Sequence, residues 1–293
     1  MNLFSIAQLE QFSGIKAHTI RIWEQRYNAL SPERSEGNTR YYDNAQLKRL
    51  LNIVSLLGAD YKISTIGSMK DKDLNKLLDA TFNTPAPAMN ASEYSISQLI
   101  SAGINFDDVH FEKIFASCLL RHGMKNTYIN ILYPLLVRIG LMWVKDGLPE
   151  APEHFISNLI RQKLFAAIDA LPPANANKQK WVLHLPENEF HEIGLLFSNY
   201  MIRQAGNKVI YLGSNVPFET LVSIVKDQSP DNILFFLVHH DDPKNAQQYI
   251  NLITTNCTKT KIHIAGREKL LTLLKLGKGV NWIRSVEDLE KQL

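Results

Sequence analysis

The sequence predicts a multidomain chain with a mostly helical N-terminal domain, a helical bundle and a C-terminal α/β domain. The first observation is charge: residues 1–70 carry nine Lys or Arg against six Asp or Glu, which accounts for the net charge of +3. The second is that apolar residues in the middle of the chain recur at helical steps of three and four. The third is that WVLHL, KVIYLG, NILFFLV and KIHIAG alternate with helical stretches. Such an order is typical of a parallel sheet covered on both faces.

Composition excludes several classes of protein. The chain has 293 residues, of which 45% are hydrophobic and 21% charged, as expected for globular domains. No apolar run approaches the roughly 18 residues of a membrane span, and the opening MNLFSIAQLEQ lacks a signal-peptide pattern. The only cysteines, Cys118 and Cys257, suit a reducing cytoplasm. Without a Ser/His/Asp, P-loop or G-x-G-x-x-G signature, we expect no enzyme and no catalytic residue.

Four segments follow from these patterns. Residues 1–70 form the basic domain. Residues 71–92, which end in NTPAPAMNAS, are expected to be a linker, because Pro, Asn and Ala without periodicity form no packed face. Residues 93–175 are expected to form a four-helix bundle, and residues 176–293 the α/β domain. One apolar stripe of the bundle contains Ile156, Leu159, Ile160, Leu164, Ile168 and Leu171.

The basic domain has the pattern of a helix-turn-helix. Ser5 can cap a first helix, Gly14 marks a tight turn, and a second helix is expected from about Lys16 to Tyr27. On that helix Ile20 and Trp23 can face a core. The polar residues that can face outward are His18, Thr19, Arg21, Gln25 and Arg26. Two short helices with a donor-rich second helix predict DNA binding, although on spacing alone an unrelated small helical domain stays open.

The stretch SPERSEGNTRYY predicts a β-hairpin wing. Gly37 and Asn38 suit the tip of the hairpin. Arg34 and Arg40 flank that tip, so the wing can set both guanidinium groups on phosphates.

This N-terminal stretch resembles the MerR family of winged-helix transcriptional regulators. The resemblance rests on FSIAQL, on HTIRIWEQRY and on the wing pattern R-x-x-x-N-x-R-x-Y. It implies a dimer on palindromic double-stranded promoter DNA; residues 71–92 have no heptads, so we expect dimerisation elsewhere. The DNA-contacting residues that it implies are Thr19, Arg21, Arg26, Tyr27, Arg34, Asn38 and Arg40. We add His18, from the outward face, and Tyr42, from the wing pattern, as DNA-binding candidates.

The bundle ends in IGLMWVKDGLPEAPEHFISNLI, which sets aromatic and polar groups around one interhelical loop. Trp143 ends one helix, Pro152 opens the next, and Glu153 and His154 follow in its first turn. An acid at a helix N-terminus is favourable in any protein, so a capped helix with a tryptophan plug stays open.

This spacing resembles the helical cap that precedes cobalamin-binding domains. In the light-sensing MerR branch, the CarH/LitR type, the pattern is Trp, nine residues, then Glu-His, which Trp143, Glu153 and His154 match. The resemblance implies that these residues cover the adenosyl face of adenosylcobalamin. That branch often has a His after the Trp as an upper cobalt ligand, and here the residue is Val144.

The stretch ENEFHEIG follows the first predicted strand, at the edge where open α/β sheets bind ligands. Glu189 can orient His191 by accepting from one ring nitrogen, although a solvated loop histidine stays open. The segment resembles the D-x-H-x-x-G motif of cobalamin-binding domains, with Glu for Asp. The resemblance implies a flavodoxin-like sheet of about five strands, with His191 as the lower ligand to cobalt and Gly194 beside the cofactor.

Two later motifs depart from the family. Phe236 and Val238 stand at its S-x-L motif, where a small Ser leaves room for the nucleotide tail of the cofactor. Overpacking costs roughly 1–3 kcal/mol where space is missing, so Phe236 is expected to crowd that tail. Ala265-Gly266 replaces a G-G pair, which keeps Gly266 among the cofactor-binding candidates.

His239 to Asp242 reads HHDD at the end of the third predicted strand. These residues could bind a divalent metal, but neighbours in an extended chain point to opposite sides. We therefore favour a polar loop.

Three functions remain. The first is a repressor that senses adenosylcobalamin and, through it, light. The second is a MerR-type regulator that has lost the cofactor and uses this domain for oligomerisation, as a homodimer or tetramer, or for a regulatory protein partner. The third, a corrinoid carrier for methyl transfer, is disfavoured by the helix-turn-helix.

Overall fold

A computed structural model describes residues 3–82, 91–146, 150–175, 177–238, 242–277 and 279–293; for residues 82, 91 and 141–146 it describes the backbone only. The chain divides into two compact units, Met1–Leu159 and Ile160–Leu293. No helix among the described residues has the length and apolar character needed to cross a membrane.

The first unit is helical apart from one short hairpin. Its elements are α1 (Ile6–Ser13), α2 (Ala17–Tyr27), β1 (Glu33–Arg34), β2 (Arg40–Tyr41), α3 (Asn44–Gly58), α4 (Ile63–Ile66), α5 (Asp71–Phe82), α6 (Ala91–Ile104), α7 (Asp108–Thr127), α8 (Tyr133–Asp146) and the beginning of α9 (Ala151–Asp169). A π-helical turn over Tyr128–Leu132 joins α7 to α8.

The predicted helix-turn-helix is confirmed with its local signals. Ser5 caps α1 in a capping box: its Oγ accepts from Gln8 N at 3.3 Å, and its N donates to Gln8 Oε1 at 2.6 Å. Gly14 ends α1 at a φ of 71°, in the left-handed region that favours glycine. Ile20 and Trp23 are buried on α2, as the pattern predicted.

The segment expected as a linker over residues 71–92 is helical in its first half. Asp71 and Asp73 stand in the first turn of α5, where acidic side chains favour the positive end of the helix dipole. Leu74 and Leu78, four residues apart, are buried, and α5 packs on α3. This stretch therefore has an apolar face, and the expectation that it has none is wrong for Asp71–Phe82. Residues 83–90 lie outside the described part.

Helices α6, α7, α8 and the beginning of α9 lie in the stretch where a bundle is expected. Helix α6 packs against α3 and α7, while α8 packs against α1. Arg138 of α8 donates to both carboxylate oxygens of Glu93 on α6, at 2.7 and 3.0 Å. Gln98 of α6, which is buried, donates to Asn52 and Ser55 of α3 at 3.2 and 2.8 Å. Apolar packing and satisfied polar groups thus join α3 of the N-terminal domain to α6.

The second unit is a five-stranded parallel sheet with helices between its strands. The strands are β3 (Lys180–Pro186), β4 (Lys208–Val216), β5 (Asn232–Leu237), β6 (Lys261–Gly266) and β7 (Val280–Trp282). The helices that follow them are α10 (Ile193–Gln204), α11 (Phe218–Gln228), α12 (Pro243–Asn256), α13 (Glu268–Leu271) and α14 (Val286–Glu290). The strand order is β4-β3-β5-β6-β7, the 2-1-3-4-5 order of flavodoxin-like folds. The predicted fold class is confirmed.

Two histidines are part of the core of this sheet. His184 and His263 are fully buried, and burial lowers the pKa of their imidazoles to about 3 and about 4. Each donates to or accepts from one neighbour: His184 Nε2 lies 2.8 Å from Tyr249 Oη, and His263 Nε2 lies 2.9 Å from Asn232 Oδ1. Both rings are therefore neutral at neutral pH and serve the packing of the sheet.

Candidate DNA-binding surface and ligand site

The exposed face of α2 presents most of the predicted recognition residues. His18, Arg21 and Arg26 are exposed, while Thr19 and Tyr27 are partly exposed. The opposite face of α2 is buried through Ile20 and Trp23. The helix therefore presents hydrogen-bond donors outward from a fixed apolar base, which is the arrangement that reading a DNA groove requires.

The hairpin wing has the predicted tip. β1 and β2 pair antiparallel, with Glu33 opposite Tyr41 and Arg34 opposite Arg40. Asn38 adopts a positive φ of 61°, as a hairpin tip requires. Arg34 Nη1 donates to Asn38 Oδ1 at 2.5 Å, and both side chains are exposed. The guanidinium of Arg34 is thus held by the tip on the outer surface of the wing.

Tyr42, which was expected on the DNA-binding surface of the wing, lies in the interior. Its side chain is buried, and its hydroxyl donates to Glu24 Oε1 of α2 at 2.5 Å. Burial, followed by the bond to Glu24, raises the pKa of the Tyr42 phenol. Tyr42 therefore supports the wing from inside and does not face DNA. The sequence pattern could not separate these roles, because the partner of Tyr42 stands 18 residues earlier in the chain.

In the second unit, Glu189 and His191 form a connected pair at the carboxyl end of β3. His191 Nδ1 donates to Glu189 Oε1 at 2.6 Å. The Glu189 side chain is fully buried, whereas 56% of the His191 side chain is exposed. In neutral imidazole a donating Nδ1 leaves the lone pair on Nε2, which is the atom that would bind a metal. The predicted orienting role of Glu189 thus has the required geometry.

Backbone donors complete the environment of Glu189. Its Oε1 also accepts from the N–H groups of Phe190 and His191, each at 3.1 Å. Its Oε2 accepts from Val238 N at 2.8 Å, at the end of β5. One buried carboxylate therefore joins the His191 loop to the neighbouring strand, which makes the loop a defined site at the sheet edge.

Phe236 fills the space beside this loop. A Cβ added to Gly194 would lie 2.8 Å from Phe236 Cε1 and 3.3 Å from its Cδ1, so only glycine allows the ring to approach α10 this closely. Gly266 is constrained in another way: its φ is 143°, and a Cβ there would overlap the backbone of Leu237. The predicted cofactor candidates Gly194, Phe236 and Gly266 are thus tightly packed against their neighbours.

The predicted cap residues lie in the first unit. His154 Nδ1 lies 3.1 Å from Glu153 Oε2, and 64% of the His154 side chain is exposed. Trp143 falls within α8, four residues before Gly147, and the side chains of Trp143 and Val144 lie outside the described part. The described geometry therefore supports a local Glu153–His154 pair in the first turn of α9.

Metal binding by clustered ligands finds no support in the part of the chain that the structure describes. Within it, no group of three or more His, Cys, Asp or Glu side chains is arranged to hold an ion. Of the HHDD stretch only Asp242 is described; it caps α12 by accepting from Lys244 N at 2.9 Å. His239, His240 and Asp241 lie outside the described residues.

The first unit contains a winged helix-turn-helix followed by further helices, and the second unit is an α/β domain with a 2-1-3-4-5 parallel sheet. Residues 4–72 match the family described as MerR HTH family regulatory protein. This match covers the helix-turn-helix, the wing and the helices that follow them, up to the first turn of α5.

Two relatives come from Myxococcus xanthus. The HTH-type transcriptional repressor CarA is 25% identical over 284 residues, which cover 93% of this chain and 90% of CarA. The HTH-type transcriptional repressor CarH is 26% identical over 224 residues, covering 75% of this chain and 74% of CarH. Among solved structures, the Methanosarcina barkeri monomethylamine corrinoid protein is 12% identical with a TM-score of 0.51, covering 69% of this chain and 98% of that one. This last similarity shows a shared fold.

Proposed function

We propose that this protein is a transcriptional repressor whose sheet domain senses a cobalamin, with His191 as the lower ligand to cobalt. The observation that carries the sensor proposal is the buried Glu189 carboxylate that holds His191 Nδ1 at 2.6 Å. The similarity to two repressors supports repression rather than activation of transcription. The partners that we propose are palindromic double-stranded DNA and further copies of the chain, as a dimer or tetramer.

The donor set at His191 fits a corrinoid. A neutral imidazole whose second nitrogen is held by a buried carboxylate is the usual arrangement of a metal-binding histidine. Bound adenosylcobalamin would supply a cobalt–carbon bond that light can break. From the cap resemblance we also propose Trp143, Glu153 and His154 as contacts of the adenosyl group.

Phe236 favours a second candidate, a sensor domain without a cofactor. Its ring lies against Gly194, 2.8 Å from the position of a Cβ, and therefore fills space between β5 and α10. A domain closed in this way would regulate through a protein partner or through oligomerisation. The two candidates differ in one measurable property, which is the retention of a corrinoid.

We expect the purified protein, mixed with adenosylcobalamin in the dark and desalted, to retain the visible absorbance of the corrinoid. His191→Ala should lower the affinity at least about tenfold, because outer partners and ligands of a metal typically contribute that much. The Kd is measured from the visible spectrum of protein titrated with adenosylcobalamin in the dark.

His122→Ala is the matched control, since His122 is an exposed histidine of the bundle and should leave the affinity unchanged. Phe236→Ser tests the second candidate. If the natural protein loses all corrinoid absorbance on desalting while Phe236→Ser retains it, the ring closes the site and the cofactor-free candidate is correct. If both the natural protein and Phe236→Ser lose all corrinoid absorbance, cobalamin sensing is excluded.

For DNA, we expect Arg40→Ala to weaken binding to all duplexes alike. A guanidinium on a phosphate carries no sequence information, and its loss should reduce the slope of log K against log salt by about 1. Fluorescence anisotropy with a labelled mixed-sequence duplex at several salt concentrations measures both quantities. Lys226→Ala removes an exposed positive charge from the second unit and serves as the control. Equal salt slopes for Arg40→Ala and the natural protein would remove Arg40 from the phosphate-binding surface.

A further inference from the structure

Glu24 is an acidic residue on the helix that carries the DNA-reading side chains, where a carboxylate would repel phosphate. Its side chain is only 7% exposed. Oε1 accepts from the Tyr42 hydroxyl at 2.5 Å, and Oε2 accepts from Arg40 Nε at 3.1 Å. Both donors come from the wing, so a single carboxylate of α2 contacts the wing at two points.

The wing cannot hold its own orientation. β1 and β2 have two residues each, and an isolated hairpin of this length is marginal in water. The base of the wing is joined to the N-terminal segment, because Tyr42 N and O exchange hydrogen bonds with Phe4 O and N at 2.9 and 2.7 Å. Glu24 adds two contacts from α2, so it contributes to the position of the wing relative to that helix.

Arg40 is placed by the same bond. Its Nε donates to Glu24, which orients the plane of the guanidinium and leaves the two Nη atoms as the donors a phosphate would meet. Only 23% of the Arg40 side chain is exposed, so its position is set by the protein. The carboxylate thus lowers the net charge of the surface while it reduces the motion of a phosphate-binding group.

We infer that Glu24 is a positioning residue that joins the recognition helix and the wing into one preorganised DNA-binding surface. The inference rests on the proposed DNA contacts of α2 and the wing. The inference predicts whether Glu24→Gln strengthens or weakens DNA binding, because loss of the charge and loss of positioning change the affinity in opposite directions. Glu24→Gln removes a negative charge near DNA, which by electrostatics alone strengthens binding. Loss of positioning weakens it.

We expect Glu24→Gln to bind a labelled mixed-sequence duplex about tenfold more weakly, as for the loss of a charged hydrogen-bond partner. Glu36→Gln is the matched control: it removes an exposed carboxylate from the wing tip and should bind as well as the natural protein or more tightly. In the Arg40→Ala background, Glu24→Gln should have a smaller effect, because the part of its effect that acts through Arg40 is already lost and only the bond to Tyr42 remains. Circular dichroism verifies that each variant is folded.

Tyr42→Phe keeps the buried ring and removes only the hydroxyl, so it tests the inference even if Glu24→Gln fails to fold. It should weaken binding while the domain stays folded, because the ring keeps its apolar contacts and Arg40 still donates to the Glu24 carboxylate. Binding by Glu24→Gln or, where that variant is unfolded, by Tyr42→Phe that equals or exceeds that of the natural protein would overturn the inference. If the natural protein itself fails to bind duplex DNA, the proposed function fails with it, and the two failures are therefore distinct.

Discussion

Replacing Glu189 by Ala is expected to destabilise the second unit by about 3 kcal/mol or more. The side chain is fully buried and accepts from three backbone N–H groups, those of Phe190, His191 and Val238, besides the ring of His191. A donor that loses its buried acceptor costs on the order of 1–3 kcal/mol, and loop relaxation will recover part of the sum. The free energy of unfolding in urea, followed by tryptophan fluorescence, measures the loss.

Two further variants separate charge from contact. Glu189→Gln keeps an oxygen for one set of donors but turns an NH2 group toward the other, so we expect roughly half the loss. Glu187→Ala, an exposed carboxylate of the same loop, should change stability by less than about 0.5 kcal/mol. Should Glu189→Ala unfold no more readily than Glu187→Ala, the carboxylate does not hold the loop. In that case Glu189→Ala should also retain the corrinoid as well as the natural protein does.

Arg49→Ala is expected to destabilise the first unit by about 3 kcal/mol or more. Arg49 Nε donates to Ala29 O at 2.7 Å, and its Nη2 donates to Gly67 O and Met69 O, both at 2.8 Å. Its Nη1 is paired with Asp71. The side chain is 13% exposed, and hydrogen bonds to a charged group contribute about 1.5–3 kcal/mol each. One guanidinium thus holds the segment after α2 together with the segments on either side of Lys70.

Lys48→Ala is the matched control for this substitution, since Lys48 is the exposed neighbour on α3. The unfolding midpoint of Arg49→Lys should lie between those of Lys48→Ala and Arg49→Ala, because the ammonium keeps the charge but its single nitrogen cannot reach the positions of both Nε and Nη2. In Arg49→Ala both the midpoint of thermal unfolding and the affinity for duplex DNA should decrease, because Ala29 lies just after α2. An unfolding midpoint equal to that of Lys48→Ala would show that these contacts do not support the domain.

Features that depend on near neighbours were predictable from the sequence. The cap at Ser5, the left-handed Gly14 and the hairpin tip at Gly37-Asn38 each involve residues within a few positions, and the structure contains all three elements. The orientation of His191 by Glu189 is also local, because the two residues are separated by one position. The prediction of a linker was wrong for α5 for the opposite reason. Leu74 and Leu78 are buried and α5 packs on α3, a partner that local periodicity does not reveal.

By itself the sequence determined the helix-turn-helix, the hairpin, the parallel α/β fold and the candidate ligand histidine, because these depend on local conformation and short-range pattern. Only the tertiary structure decided which side chains meet across distance. Val238 N reaches Glu189 from 49 residues away, and Tyr42 and Arg40 reach Glu24 from 18 and 16. Contacts of this kind arise when helices and strands pack, so they decide whether a polar residue faces DNA, supports the wing or holds a loop.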